Sequence, residues 1–197
     1  MFYVMRHGET EWNRLGKLQG KQDSPLTALG RAQAAAMGRA IAALAGQTDD
    51  LELWSSPLGR ARETAAIVAG ALGRKPETIR CDVRLQEIDY GTWTGRTFTE
   101  IKRDEPEVWA QRYRDKFRNP LPGGDSYVDA LARARSWAAE RDVATRHVVV
   151  GHGVFNRMLV AALTGLAPET LLDLAAPQDA VIVIDGRAWH FEEADLS

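Results

Sequence analysis

The chain reads as an α/β domain, a mostly parallel sheet with helices on both faces. Short apolar runs at 2–5, 51–54, 147–150 and 181–184 have the β-branched and aromatic content of buried strands. Between them, apolar residues recur at helical spacing, and such alternation is what a parallel sheet with crossover helices requires. Three of the strands stop at abrupt polar clusters rich in glycine, as loops at one sheet edge do. At 197 residues the sequence fits one domain, 1–197, since domains commonly span ~100–200 residues.

Phe2-Tyr3-Val4-Met5 is the first strand, ending at Arg6-His7-Gly8-Glu9-Thr10. The stretch from Asn13 to Ser24, polar and glycine-bearing, reads as an exposed loop. Thr27 is a good N-cap for a helix closed by Gly46, with Met37, Ile41 and Leu44 on its inner face. Leu51-Glu52-Leu53-Trp54 is the second strand, running into Ser55-Ser56-Pro57-Leu58-Gly59. The next helix starts near Arg60 and stops at Gly73. Its inner face carries Thr64, Ile67, Val68, Ala71 and Leu72, and Arg60 and Thr64 share its first turn.

A third strand is predicted over 78–82 and a loop over 85–91. Residues 93–119 are polar and helical in composition, studded with Trp93, Phe98, Trp109, Tyr113 and Phe117. Pro120-Leu121-Pro122-Gly123-Gly124 breaks them off, so 93–124 reads as a helical excursion over the active edge of the sheet. A helix from Asp125 to about Arg141 precedes the clearest strand, His147-Val148-Val149-Val150. Gly151-His152-Gly153 then opens a helix that turns Val154, Phe155, Met158, Leu159 and Ala162 inward. Val181-Ile182-Val183-Ile184 is the last core strand, and Asp185-Gly186 makes a hairpin turn to Trp189-His190-Phe191.

Composition excludes several classes. Net charge is −2, with 26% charged residues, so no overall field draws the chain to nucleic acid or an acidic membrane. The single cysteine, Cys81, rules out a disulfide framework and a cysteine metal cluster within one chain, and reads as a small strand residue. No run of roughly 18 apolar residues and no basic, apolar leader is present, which makes a cytoplasmic location the expectation.

The polar clusters carry the chemistry. In an open parallel sheet all carboxyl ends point to one edge, where ligands bind. His7, Arg60 and His152 are therefore expected in one pocket, with Arg6 beside His7. Helix N-termini at that edge add unpaired N–H groups. Such a donor set suits a phosphate dianion better than a carboxylate, and the glycines beside both histidines are expected to let the backbone approach the ligand. Neutral imidazole can take up a phosphoryl group, arginines can stabilise the in-line transition state, and a carboxylic acid can protonate the leaving group. Glu87 is the first candidate for that acid and Glu9 the second.

These stretches resemble the histidine phosphatase superfamily, which includes the cofactor-dependent phosphoglycerate mutases. Arg6-His7-Gly8-Glu9-Thr10 with Trp12-Asn13 resembles its signature. Ser56-Pro57-Leu58-Gly59-Arg60-Ala61-Arg62-Glu63-Thr64-Ala65 is similar to its second block, 85–95 to its third, and Gly151-His152-Gly153 to its fourth. Pro122-Gly123-Gly124-Asp125-Ser126 is similar to a Pro-Gly-Gly-Glu-Ser stretch of many members. The resemblance implies a three-layer α/β/α fold with a six-stranded sheet and one antiparallel strand. It implies His7 as the phosphorylated nucleophile, Arg6, Arg60 and His152 as the phosphate pocket, and Glu87 as proton donor. Asn13, Tyr90 and the backbone at Gly153 would be further binding elements. No metal and no cofactor are implied.

Within that family the short chain and the Val154-Phe155 that follows His152-Gly153 favour a phosphatase, while Tyr90-Gly91 matches the mutases, which remain the alternative. The 87–91 run is also similar to fructose-2,6-bisphosphatase domains, and Trp93 with Gly95-Arg96 to α-ribazole phosphatases, so the substrate stays open. The expected partner is a small phosphorylated metabolite, not nucleic acid or membrane, with at most a second copy of the chain as a homodimer. Two rival classes are a metal-dependent hydrolase, against which Arg6 and Arg60 and the missing HxH or HExxH spacing argue, and a dead phosphate-binding scaffold, against which the retained His7 and Glu87 argue. His147 and His190 are expected to be dispensable.

Overall fold

The structure is a computed structural model that describes all of residues 1–197. Six strands, β1 (Phe2–Arg6), β2 (Leu51–Ser55), β3 (Arg80–Cys81), β4 (Arg146–Gly151), β5 (Ala180–Asp185) and β6 (Ala188–Glu193), form one sheet in the order β3-β2-β4-β1-β5-β6. The pairings β1 with β4, β2 with β4 and β2 with β3 are parallel. Strand β5 is antiparallel to both of its neighbours, so it alone runs against the rest. Seven helices complete the fold: α1 (Glu11–Arg14), α2 (Ala28–Ala45), α3 (Gly59–Ala71), α4 (Phe98–Asp104), α5 (Pro106–Arg114), α6 (Tyr127–Ala138) and α7 (Gly153–Thr164).

The strands' period of two divides the core into two apolar layers. Phe2, Val4, Trp54, Val149 and Ile182 pack against Leu131, Trp137, Phe155 and Leu159 of α6 and α7. Tyr3, Met5, Leu53, Val148 and Val183 pack against Met37, Ile41, Ala65 and Val68 of α2 and α3. The fold is thus the expected three-layer α/β/α sandwich. No helix is long and apolar enough to cross a membrane.

Local details depart from the sequence reading. The third strand shrinks to Arg80–Cys81, an exposed edge that needs few ladder bonds, and Cys81 itself is exposed. Leu44 is 42% exposed, because the inner face of α2 is completed by alanines and Gly38, and Ala71 also faces out. The hairpin loop is Gly186-Arg187, one residue later than predicted, since Asp185 still pairs with Ala188. Gly186 has φ +59°, as the first loop position of a type II′ hairpin needs. The largest departure is at 11–24. Glu11–Arg14 is helical under a Thr10–Asn13 capping box, and Leu18, Gln19, Gly20 and Ser24 are buried rather than exposed. The polar loop goes inside because a buried arginine takes up its carbonyl groups.

Candidate active site

Register places the three polar clusters side by side. Arg6 pairs with Gly151 on β4, and the His7 amide donates to the Gly151 carbonyl at 3.1 Å. Ser55 pairs with Val150, and the Ser56 amide continues the ladder to Val150 at 3.0 Å. Three central strands therefore end together, and α3 and α7 start from two of them. A cavity of about 80 Å³ at this edge is lined by Arg6, His7, Asn13, Arg60, Glu87 and Tyr90, with Lys17, Leu18, Gln19 and Gly20 on its other wall.

His7 is 3% exposed. Its Nδ1 lies 2.8 Å from the Gly8 carbonyl, which can only accept, so Nδ1 carries the proton and Nε2 the lone pair. Arg60 Nε–H donates to that Nε2 at 3.2 Å. The His152 ring lies 5.2 Å from the His7 ring, centre to centre, with both of its nitrogens buried and unpartnered. Burial, together with the Arg6 and Arg60 charges, holds the His7 imidazole well below its usual 6.5. Burial, then Arg60, His7 and Arg6, does the same to His152. Both rings are neutral at pH 7.

Arg60 is fixed from outside its own helix. Its Nη1 donates to the Gln22 carbonyl at 2.6 Å and to Asp23 Oδ1 at 2.7 Å, and its Nη2 donates to the Gly20 carbonyl at 2.7 Å. Asp23 Oδ2 also accepts from the Gly59 amide at 2.6 Å, capping α3. Arg6 donates through Nη1 to the Ala176 carbonyl at 2.9 Å, while its buried Nε has no partner. A buried donor without a partner is uncommon in folded proteins, and here Arg6 Nε and the N–H of the His152 ring are both left so, Arg6 on the cavity wall and His152 against His7. An anion accepting hydrogen bonds fits them; a cation does not. No group of three or more His, Cys, Asp or Glu side chains is placed to hold a metal ion.

Glu87 is anchored by three amides. Oε1 accepts from Ile88 and Phe155, each at 3.0 Å, and Oε2 accepts from Val154 at 3.1 Å. The carboxyl thus sits on the first turn of α7, directly after His152. Its loop is clamped in turn. Arg133 Nη1 donates to the Gln86 carbonyl at 2.7 Å, and the Asp125 amide to the Asp89 carbonyl at 2.9 Å. Gly91 has φ +55°, and a Cβ there would stand 2.1 Å from the Pro122 carbonyl oxygen, so the 122–126 stretch is the brace of the Glu87 loop. Tyr90 is half-buried between Glu87 and Arg6. Burial, reinforced by the Glu87 carboxylate, pushes its phenol well above its usual 10, so it stays a neutral donor.

Other sequence expectations change. Glu9 does not line the cavity; it accepts from Thr27 Oγ1 at 2.8 Å and anchors the start of α2. Gly8 serves chain packing rather than ligand approach, since a Cβ there would meet the Gly30 carbonyl oxygen at 2.1 Å. A Cβ at Gly153 would make only ordinary contacts, and Gly153 lies behind Arg6. Asn13 does reach the cavity, but its Oδ1 is shared by Thr10 and Gln178. Gln178, Asp23, Gln19 and Lys17 were missed. Gln178 ties Asn13 to the His7 carbonyl, each at 3.0 Å, from a stretch without any motif. Asp23 alone was findable, as an acid just before Pro25-Leu26-Thr27 in a loop short of other carboxylates.

Comparison with known proteins agrees with this geometry. Residues 2–195 match the model of the Histidine phosphatase superfamily (branch 1). The Salmonella typhi protein named "Probable phosphoglycerate mutase GpmB" is 36% identical over 168 residues, 83% of this chain and 74% of that protein. A mycobacterial glucosyl-3-phosphoglycerate phosphatase, solved with VO3, is 30% identical with a TM-score of 0.78, over 100% of this chain and 98% of that one. Bacillus stearothermophilus YhfR is also 30% identical, with a TM-score of 0.76 over 98% and 95%. With the match spanning nearly the whole chain and the histidine pair at the shared sheet edge, the protein belongs to the histidine phosphatase superfamily, branch 1.

Proposed function

We propose that the protein hydrolyses a small phosphomonoester through a phosphohistidine on His7. The observation that carries this reading is the His7 ring itself: a neutral imidazole on the cavity wall whose lone-pair nitrogen faces Arg60, with unpartnered donors on Arg6 and on the neighbouring His152. The phosphate enters against Arg6 and Arg60, whose charges offset its own, with neutral His152 as a hydrogen-bond donor, so that a neutral nucleophile can approach. Nε2 attacks phosphorus in line, the bond to the leaving oxygen breaks, and Glu87 delivers a proton to that oxygen. Glu87, now a carboxylate, takes a proton from water; the resulting hydroxide displaces His7 and leaves inorganic phosphate. Its anchoring amides hold the carboxyl at one place through both steps.

A phosphatase must admit water to the phosphohistidine, and a mutase must exclude it. The residues of 93–124 pack on one another and line a neighbouring cleft, and none of them lines the cavity itself. The glucosyl-3-phosphoglycerate phosphatase likeness favours the same side. The likeness to the GpmB proteins keeps one alternative, a cofactor-dependent phosphoglycerate mutase. The test is p-nitrophenyl phosphate turnover, its loss in His7→Ala, and a parallel assay of 3-phosphoglycerate with 2,3-bisphosphoglycerate. Phosphate release with no 2-phosphoglycerate formed supports the phosphatase. Isomer formation faster than phosphate release would replace it with the mutase.

A further inference from the structure

Every backbone polar group of His7, Gly8 and Glu9 has a partner. The His7 amide donates to Gly151, and the Gln178 side chain donates to the His7 carbonyl. The Gly8 amide donates to Thr64 Oγ1 at 3.1 Å, and the Glu9 carbonyl accepts from the Thr27 amide at 2.9 Å. Between them lies the peptide that joins Gly8 to Glu9. Its carbonyl accepts from His7 Nδ1 at 2.8 Å, and its N–H donates to Gln33 Oε1 at 2.8 Å. Only the side-chain oxygen of Gln33 can accept there, which fixes the orientation of its carboxamide.

Gln33 stands on α2, is 7% exposed and lines no part of the cavity. Gly30, one turn earlier, brings the helix backbone against the same peptide, since a Cβ at Gly30 would collide with the Glu9 carbonyl and amide. A trans peptide is planar, with its C=O and N–H pointing in opposite directions. Turning the plane over would therefore replace the acceptor beside His7 Nδ1 with a donor. Gly8, without a Cβ, does not itself fix the plane. The hydrogen bond at the far end of the plane, to Gln33, does.

We infer, on the phosphohistidine reading of the site, that Gln33 is a positioning residue for the nucleophile: it holds the Gly8–Glu9 peptide so that the Gly8 carbonyl keeps the proton on His7 Nδ1 and the lone pair on Nε2. Arg60 Nε–H favours the same tautomer before substrate binds. Once Nε2 bonds to phosphorus and the leaving oxygen departs, that nitrogen no longer accepts from Arg60. The ring is then cationic, its proton stays on Nδ1, and the Gly8 carbonyl is the acceptor that faces it. An acceptor on the N–H end polarises the peptide and strengthens its carbonyl. Because the ring charge develops in the transition state, Gln33 acts on kcat rather than on KM.

The experiment pairs Gln33→Met, which fills similar space without an acceptor, with Gln33→Glu, which keeps one. On p-nitrophenyl phosphate, Gln33→Met should lower kcat by about tenfold with KM within about twofold, as for loss of one hydrogen bond that matters in the transition state. Gln33→Glu should keep kcat within about threefold of wild type. The second readout needs no turnover: the ring N–H of His7 in nitrogen-edited NMR, assigned by its loss in His7→Ala. In the wild type it should be a slowly exchanging, downfield proton on Nδ1. In Gln33→Met it should move upfield or exchange with water, and in Gln33→Glu it should persist. A wild-type His7 protonated on Nε2 overturns the inference, as does a resonance unchanged in Gln33→Met whatever kcat does. Equal loss of kcat in both variants also overturns it and makes Gln33 a packing residue of α2. Failure of the phosphohistidine reading shows elsewhere, as absent p-nitrophenyl phosphate turnover or as turnover that survives His7→Ala, and the ring resonance still decides whether Gln33 sets the His7 tautomer.

Discussion

Both edges of the sheet bury a histidine, and only one edge makes a chemical site of it. At the amino edge, His147, near the start of β4, stacks on Phe2 at 4.7 Å and donates from Nε2 to the Asp142 carbonyl at 3.0 Å. Glu52 lies 3.5 Å from its other nitrogen. At the carboxyl edge, His7 faces Arg60 and a cavity, with His152 against it and unpartnered donors on Arg6 and His152. A wider groove opens at the amino edge beside Met1, Arg135 and Arg187, but it brings no pair of histidines together. Burial lowers the pKa of all three rings. What separates them is the direction in which strands run: helix N-termini, loop glycines and arginines gather where parallel strands end.

The contrast can be broken in steps of falling size. Arg60→Ala should cost on the order of 10²–10³ in kcat/KM for p-nitrophenyl phosphate, as for removal of one transition-state donor. A loss under tenfold, in a protein that still melts cooperatively, would mean that Arg60 only supports the 20–23 loop. Glu87→Gln should slow alkyl phosphates far more than p-nitrophenyl phosphate, whose leaving group needs no proton. Equal losses on both would remove Glu87 as the acid. His147→Gln should leave kcat/KM within about twofold, since no donor to the phosphate is touched; a loss like that of Arg60 would erase the difference between the edges.

The smallest effect is on stability. His7 and His152 have folded-state pKa values below the unfolded value near 6.5, so the unfolded chain binds more protons in acid. Stability is therefore full above about pH 6.5 and falls below it, by about 1.4 kcal/mol per pH unit for each histidine. Thermal melts of the ligand-free protein from pH 7.5 to 5.5 should show the decline, and His152→Gln should flatten it. A midpoint independent of pH across that window would contradict the buried, neutral pair.

Much of this was legible in the sequence, for a physical reason. Strand ends and helix starts have local signals, so Arg6, His7, Arg60 and His152 could be placed at one edge from chain order alone, whereas Glu87 was only a candidate acid in a loop. What holds them there has no local signal. Asp23, Gly20 and Gln22 clasp Arg60 from about forty residues away, and Gln178 reaches the His7 carbonyl across 171 positions. The loop carrying the first three looked exposed because its composition is polar. The polarity is instead spent on a buried guanidinium.

The central claim is that His7 carries the phosphoryl group between two displacements. Acid-stable adducts would not report it, so the measurement is rapid alkaline quenching during turnover of a phosphomonoester, followed by peptide mass spectrometry. One phosphoryl group should appear on the His7 peptide, be lost again in chase with unlabelled substrate, and be absent from His7→Ala. Full turnover with no phosphoryl group on that peptide at any quench time, or the group found on His152, would contradict it.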